Sequence, residues 1–406
     1  MKRILCMVLG LLGFLGVQAQ MPHLHEYTYP VVTEENRHVR ALMDSVSIDN
    51  LTDVIEHLQS YHTRRYDSRM VYEVQNWLLG QYQQLGFDSV YLHDFPLPTY
   101  LPAAETSDNV VAIQKGCLYP EEYVVCGAHY DSYNNTPGHP DSLYAPGADD
   151  NASGVSGILE TARILSRHSF ERSLVFVNFG AEEVGLIGSA AYAKDCADRD
   201  MHIVGYFNLD MIGYLEEGSD IHVNLLYTPQ DSTLARYVKQ FSRTYYPDMR
   251  IWQDWLPQGD SDYSSFNRNG YAAIQLFEDT HHSSPFIHTT DDILGVSVNS
   301  MEQAKRFTEL HLGLIATLAG LADTSVEEPE PAQWKVYPNP VSGMLTVEGL
   351  SIRQIELYDL LGQQVLKETC HDSAVQLDLA SFAAGVYVLR VVDDAMNVHS
   401  HRVITY

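Results

Sequence analysis

Residues 174–185 read Leu174-Val175-Phe176-Val177-Asn178-Phe179-Gly180-Ala181-Glu182-Glu183-Val184-Gly185. The first six form a short, β-rich apolar run of strand length, and two adjacent carboxylates follow it after a Gly-Ala step. Acidic groups beside a buried strand are costly unless they are paired or bound to a metal. Working outward, similar apolar runs fall at 109–114, 123–128, 204–209, 221–226 and 272–277. Helical segments alternate with them, at 154–166, 233–245 and 301–321, the last with Phe307, Leu310, Leu314 and Leu318 in register. Two more helical segments precede the first strand. In the second of these Val71, Val74, Leu78, Tyr82 and Leu85 share one face. Such alternation predicts an α/β fold with a mixed, mostly parallel central sheet flanked by helices on both faces.

Four further pieces of sequence repeat the pattern of the Glu182-Glu183 pair. His129-Tyr130-Asp131 follows the run at 123–128, and Asp210 ends the run at 203–209. Asp149-Asp150 precedes a Gly/Ser turn and a helix, and His288 lies in a loop after the last strand. The carboxyl ends of strands are where open α/β sheets build their sites, so these groups are expected to converge on one rim. Two imidazoles and four carboxylates suit two zinc ions about 3.5–4 Å apart, sharing one carboxylate and one water. Asp131, two residues from His129 on extended chain, projects to the same side and can hold the His129 ring in a ligand tautomer. Adjacent Glu side chains diverge, so one can bind metal while the other serves as general base. Either of Asp149 and Asp150 could cap the helix while the other bridges. His281-His282 competes with His288 as a ligand source.

The chain has 406 residues, 45% of them hydrophobic, enough for one large domain at 20–322 and a small module at 334–406. Lys2, Arg3, the apolar run 4–17 and Ala19 read as a signal peptide over residues 1–19, so the protein is expected to be exported. No later apolar stretch is long enough to span a membrane. A formal charge of −28 repels nucleic acid and anionic lipid. Cys117, Cys126, Cys196 and Cys370 remain after the signal, too few for a disulfide framework, and Cys126 falls in a buried apolar run. Residues 323–333 form an acidic, Pro-bearing linker. Beyond it, short alternating strands at 345–347, 355–358, 364–366, 375–379 and 386–391 suit a small β-sandwich.

The ordered set His-x-Asp at 129–131, Gly-Ala-Asp-Asp-Asn-Ala-Ser-Gly at 147–154, Glu-Glu-x-Gly-x-x-Gly-Ser at 182–189, Asn-x-Asp-Met-Ile-Gly at 208–213 and His-Thr-x-x-Asp at 288–292 closely resembles the secreted bacterial co-catalytic zinc aminopeptidases. The resemblance spans about residues 35–322 and implies a zinc-exopeptidase fold of phosphorylase/hydrolase type. It implies that His129 and Asp210 bind one zinc and Glu183 and His288 the other, with Asp149 bridging and Glu182 as base. Asp131, Asp150 and Asp292 would support these ligands, and the Asp149–Asp150 peptide would be strained or cis. Ser261-Asp262-Tyr263 resembles an element that lies near the substrate in that family. The implied partners are peptides with a free N-terminus. A glutaminyl cyclase, which shares the fold but uses one zinc, is the rival enzyme, and a non-catalytic surface binding protein is the rival outside enzymes. A carboxypeptidase is disfavoured because none of the five motifs holds an Arg to clamp a carboxylate. The tail, with Tyr337-Pro338-Asn339-Pro340, the stretch 358–363 and Gly385-Val386-Tyr387, resembles the sorting domain read by the type IX secretion machinery.

Overall fold

A computed structural model of the chain describes residues 27–101, 104–135, 144–254, 260–322, 335–359, 363–394 and 398–406. The expected signal peptide and linker lie outside the described residues. The chain divides into two compact units, up to Ala322 and from Asp323 onward.

The first unit begins with helices α1 (Arg37–Asp44), α2 (Ile48–Gln59) and α3 (Met70–Leu85). Asn36 and Ser47 cap the first two with side-chain oxygens that accept backbone N–H groups. Gly86 closes α3 in the left-handed region at φ 77°. There follow β1 (Ser89–Pro96), β2 (Thr106–Gln114), β3 (Tyr119–His129), α4 (Gly154–Leu165), β4 (Arg172–Phe179), α5 (Ile187–Asp198) and β5 (His202–Leu209). The unit ends with β6 (Val223–Leu226), α6 (Ser232–Tyr245), β7 (Ile251–Asp254), α7 (Tyr263–Arg268), β8 (Ala273–Phe277) and α8 (Met301–Ala319).

Its sheet has the order β1-β2-β4-β3-β5-β8-β6-β7. The centre, β4-β3-β5-β8, is parallel, while β1, β2 and the β8–β6 pairing are antiparallel. Side chains of the central strands alternate between two cores. Leu174 and Phe176 pack under α2, α3, α4 and α8, whereas Val175, Val177 and Phe179 pack with Tyr192 of α5 and Phe266 of α7. Burial on both faces explains the unbroken apolar runs. Among the strands, β1 and β7 lacked that signature: β1 is half-buried and mixes polar with apolar residues, and β7 is four residues long with Trp252 exposed. The four cysteines are free, and Cys126 is buried. No helix among the described residues is long and apolar enough to cross a membrane.

The second unit is one antiparallel sheet of β9 (Lys335–Tyr337), β10 (Met344–Tyr358), β11 (Gln364–Asp378), β12 (Gly385–Asp393) and β13 (Val398–Thr405). The runs expected at 345–347 and 355–358 are the two ends of β10, whose register shifts near Ile352 let a long strand bend over its own core. Val341 bridges Thr405, so the last strand returns to the first turn and the sheet nearly closes. Leu345, Val347, Ile355, Leu357, Leu389 and Val391 fill the inside.

Candidate metal centre

The parallel strands β3, β4 and β5 end side by side, and each leaves a ligand-type group at its end. His129 closes β3, Glu182 and Glu183 follow β4, and Asp210 follows β5. The acid at position 150 arrives from the turn between β3 and α4. Gly147 enters that turn in the left-handed region at φ 54°, where an added Cβ would meet Asp150 O at 2.5 Å. The Asp150–Asn151 peptide is cis, one bond later than expected. These groups, with His288, line a cleft of about 720 Å³.

Asp150 is the centrepiece. One carboxylate oxygen lies 3.2 Å from His129 Nε2 and the other 3.0 Å from His288 Nε2. His129 Nε2 is also 3.5 Å from Asp210, and His288 Nε2 is 2.8 Å from Glu183. His129, Glu182 and Asp210 converge as one group, and His129, Asp150 and Glu183 as another. Donor atoms bound to one tetrahedral zinc at 2.0–2.2 Å stand about 3.4 Å apart, close to the spacings found here. Glu183 Oε1 is buried and has no hydrogen-bond partner. A crowd of buried carboxylates, one of them with an orphaned oxygen, fits divalent cations.

The electrostatics point the same way. Burial pushes the Glu182 carboxyl well up, and burial with the Asp150 charge raises Glu183 to about 8. Asp262, buried beside them, is raised to about 7, chiefly by burial. Burial opposes charge on His129 and His288, yet the facing carboxylates prevail. They drive His129 well above its ordinary value and His288 to about 11. Asp150 is held below the usual carboxylate range despite burial, because both imidazoles hydrogen-bond to it.

Asp149, expected as the bridging ligand, is instead turned beneath the cleft. Its Oδ1 accepts the Gly213 N–H at 2.9 Å, and its carboxyl is pushed up by burial and by Asp292. Adjacent side chains diverge at this turn, so only the second acid of the pair reaches the rim. Asp150, expected only as a supporting acid, is the one that lies between His129 and His288. Asp292 accepts the backbone N–H groups of both Asp149 and Asp150, at 2.8 and 3.2 Å. Asp131 lies 3.5 Å from His129 Nδ1, and its two oxygens accept the N–H groups of Glu182 and Glu183. Ser261 donates to Asp210 at 2.7 Å. Of the competing histidines, only His288 lines the cleft.

Two residues escaped sequence reasoning. Arg64 is fully buried and donates to the backbone carbonyls of Leu58, Tyr130, Pro146 and Gly147, bracing the end of β3 and the turn that delivers Asp150. Glu278 accepts the N–H groups of Tyr214 and Ser284 and sits against Asp149. Neither lies in a recognisable pattern, and only burial in the folded chain marks it out.

Residues 109–311 match the model of peptidase family M28, and residues 335–405 match that of a secretion-system C-terminal sorting domain. A leucine aminopeptidase 1 from Pyrenophora tritici-repentis is 30% identical over 69% of this chain and 73% of its own. LapB from Legionella pneumophila superposes with a TM-score of 0.62 at 25% identity, over 72% of this chain and 78% of that one. A Porphyromonas gingivalis glutaminyl cyclase superposes at 0.56 with 17% identity, over 66% and 98%, which shows a shared fold.

Proposed function

The chain belongs to peptidase family M28 and is a metallo-aminopeptidase, and we propose that it releases single residues from the free N-termini of peptides at a pair of zinc ions. In this reading His129 and Asp210 would hold one ion and Glu183 and His288 the other, with Asp150 within reach of both. Zinc, when bound, polarises a carbonyl oxygen and lowers the pKa of water. Glu182, buried at the rim, takes the proton of the attacking water and returns it to the leaving amine. Asp131 fixes the backbone of Glu182 and the ring of His129 together, so base and ligand keep one spacing. The surplus of carboxylates favours a substrate ammonium over a carboxylate. Met211, Phe277 and Ile287 give the cleft an apolar wall, which suits a large apolar first side chain and agrees with the activity named for the fungal relative.

The observation that carries this reading is Asp150 between His129 and His288, with one carboxylate oxygen turned to each imidazole. Metal analysis joined to a panel of aminoacyl substrates tests it. Two zinc ions per chain and release of leucine are expected. One ion with cyclisation of an N-terminal Gln would replace the reading by the cyclase one. The sorting domain indicates export by the type IX route to the cell surface or the extracellular space.

A further inference from the structure

Tyr206, Asn208 and Asp210 stand two residues apart along and just past β5, so their side chains leave one face of the sheet in a row that ends at the cleft. The alternate residues Phe207 and Leu209 pack into the opposite core. Asn208 is fully buried within an otherwise apolar stretch, where an amide is costly unless its atoms are bonded.

The bonds around it run in one direction. As a metal ligand Asp210 is a carboxylate and can only accept, so the single Ser261 hydroxyl proton goes to its Oδ2 at 2.7 Å. The Ser261 oxygen is then left with lone pairs, and the Asn208 group 2.9 Å from it must be the amide N–H. The Asn208 carbonyl oxygen is thereby turned to Tyr206, whose buried phenol donates to it at 2.6 Å. Gln275, the neighbour of Asn208 on β8, accepts the second amide N–H at 3.3 Å. The Tyr206 ring is held in turn by Phe266 of α7, stacked at 3.9 Å with 7° between the planes. With Oδ2 tied back, Oδ1 is the Asp210 oxygen that faces His129 Nε2, at 3.5 Å.

We infer that Tyr206 and Asn208, neither of which lines the cleft, are positioning residues that act through Ser261 to fix how Asp210 meets its ion. This rests on the reading that His129 and Asp210 hold one zinc. Hydrogen bonds donated in sequence polarise one another, so loss of the remote donor weakens the bond that reaches the ligand.

The test is zinc affinity, measured on the full chain by competition with a chelator, for Ser261→Ala, Tyr206→Phe and the double variant. Ser261→Ala should weaken one of two ions by about 10–100-fold, the range for a ligand's outer partner. Tyr206→Phe keeps the ring on Phe266 and removes only the remote proton, so it should weaken the same ion by about 3-fold, a part of one hydrogen bond. Added to Ser261→Ala, it should change nothing further. The same loss from Tyr206→Phe in both backgrounds would make it a packing residue and overturn the proposal, as would no loss in either. Asp210→Ala separates this inference from the reading beneath it. It should release one ion, and if both stay, the ligand assignment fails and takes the relay with it. Release of that ion together with a silent Tyr206→Phe would overturn the relay alone.

Discussion

His129 and Asp210 leave the ends of β3 and β5, which are hydrogen-bonded neighbours in the sheet, and the His129 side chain is 1% exposed. His288 stands across the cleft on a loop, at φ 56°, with its side chain 28% exposed. Its ring rests edge-on against Tyr133 at 5.2 Å, and its carbonyl accepts the Asn135 N–H. One side of the cleft is thus fixed by the sheet before any ion binds. The other depends on a loop, held by Tyr133, Asn135 and the carboxylates that His288 faces. Sheet-borne ligands keep their spacing at the cost of adaptability, and loop-borne ligands do the reverse.

The strongest test of this contrast is Glu182→Gln on the strand side. Turnover should fall by about two to four decades while both metals stay, since a base is lost and the sheet is untouched. If metal leaves with it, and Glu183→Gln keeps metal, the roles of the pair are reversed. Next, His288→Ala should release one ion to a chelator and leave the His129–Asp210 ion in place. Asp292→Asn, which loosens the turn carrying Asp150, should cost about 10–100-fold in metal affinity or activity. Equal loss of both ions from His288→Ala would erase the contrast. Asp149→Asn should lower activity less than about 10-fold, below the range of a ligand's outer partner, whereas Asp150→Asn should remove it.

Smaller effects lie outside the cleft. His311 on α8 is fully buried, and burial pushes its ring down to about 3 from 6.5. As pH falls below 6.5 the unfolded chain takes up a proton that the folded chain refuses. Stability should therefore drop by up to about 1.4 kcal/mol per pH unit between 6.5 and 3. Urea midpoints at pH 7 and pH 5 should show this slope lessened in His311→Gln. Finally, a chain ending at Ser325 should keep its peptidase activity and zinc content but fail to leave the periplasm in a host with the type IX machinery. Reduced activity would assign the β unit a part in the cleft.

The legibility of the sequence follows the same division. Central strands announced themselves because burial on both faces forces unbroken apolar runs, and a carboxylate or imidazole at the end of such a run stands out. The edge strands β1 and β7 bury less and gave no such run. The Asp149-Asp150 pair could not be resolved locally, since the irregular turn that decides which acid faces the rim depends on Arg64 and Asp292, distant in sequence. In the tail, short runs were legible but not their fusion into long bent strands, because the intervening polar residues hide the continuity of β10.

Asp131 ties the backbone of two acids and the ring of one imidazole to a single carboxylate. In evolutionary terms this is a locked position. Any replacement loosens Glu182, Glu183 and His129 at once. Ser283 and Ile287, which wall the cleft from the loop after β8 between Glu278 and His288, carry no such ties, so their side chains are free to drift as substrates change. Selection can retune what the enzyme accepts on that wall without reopening how it cuts.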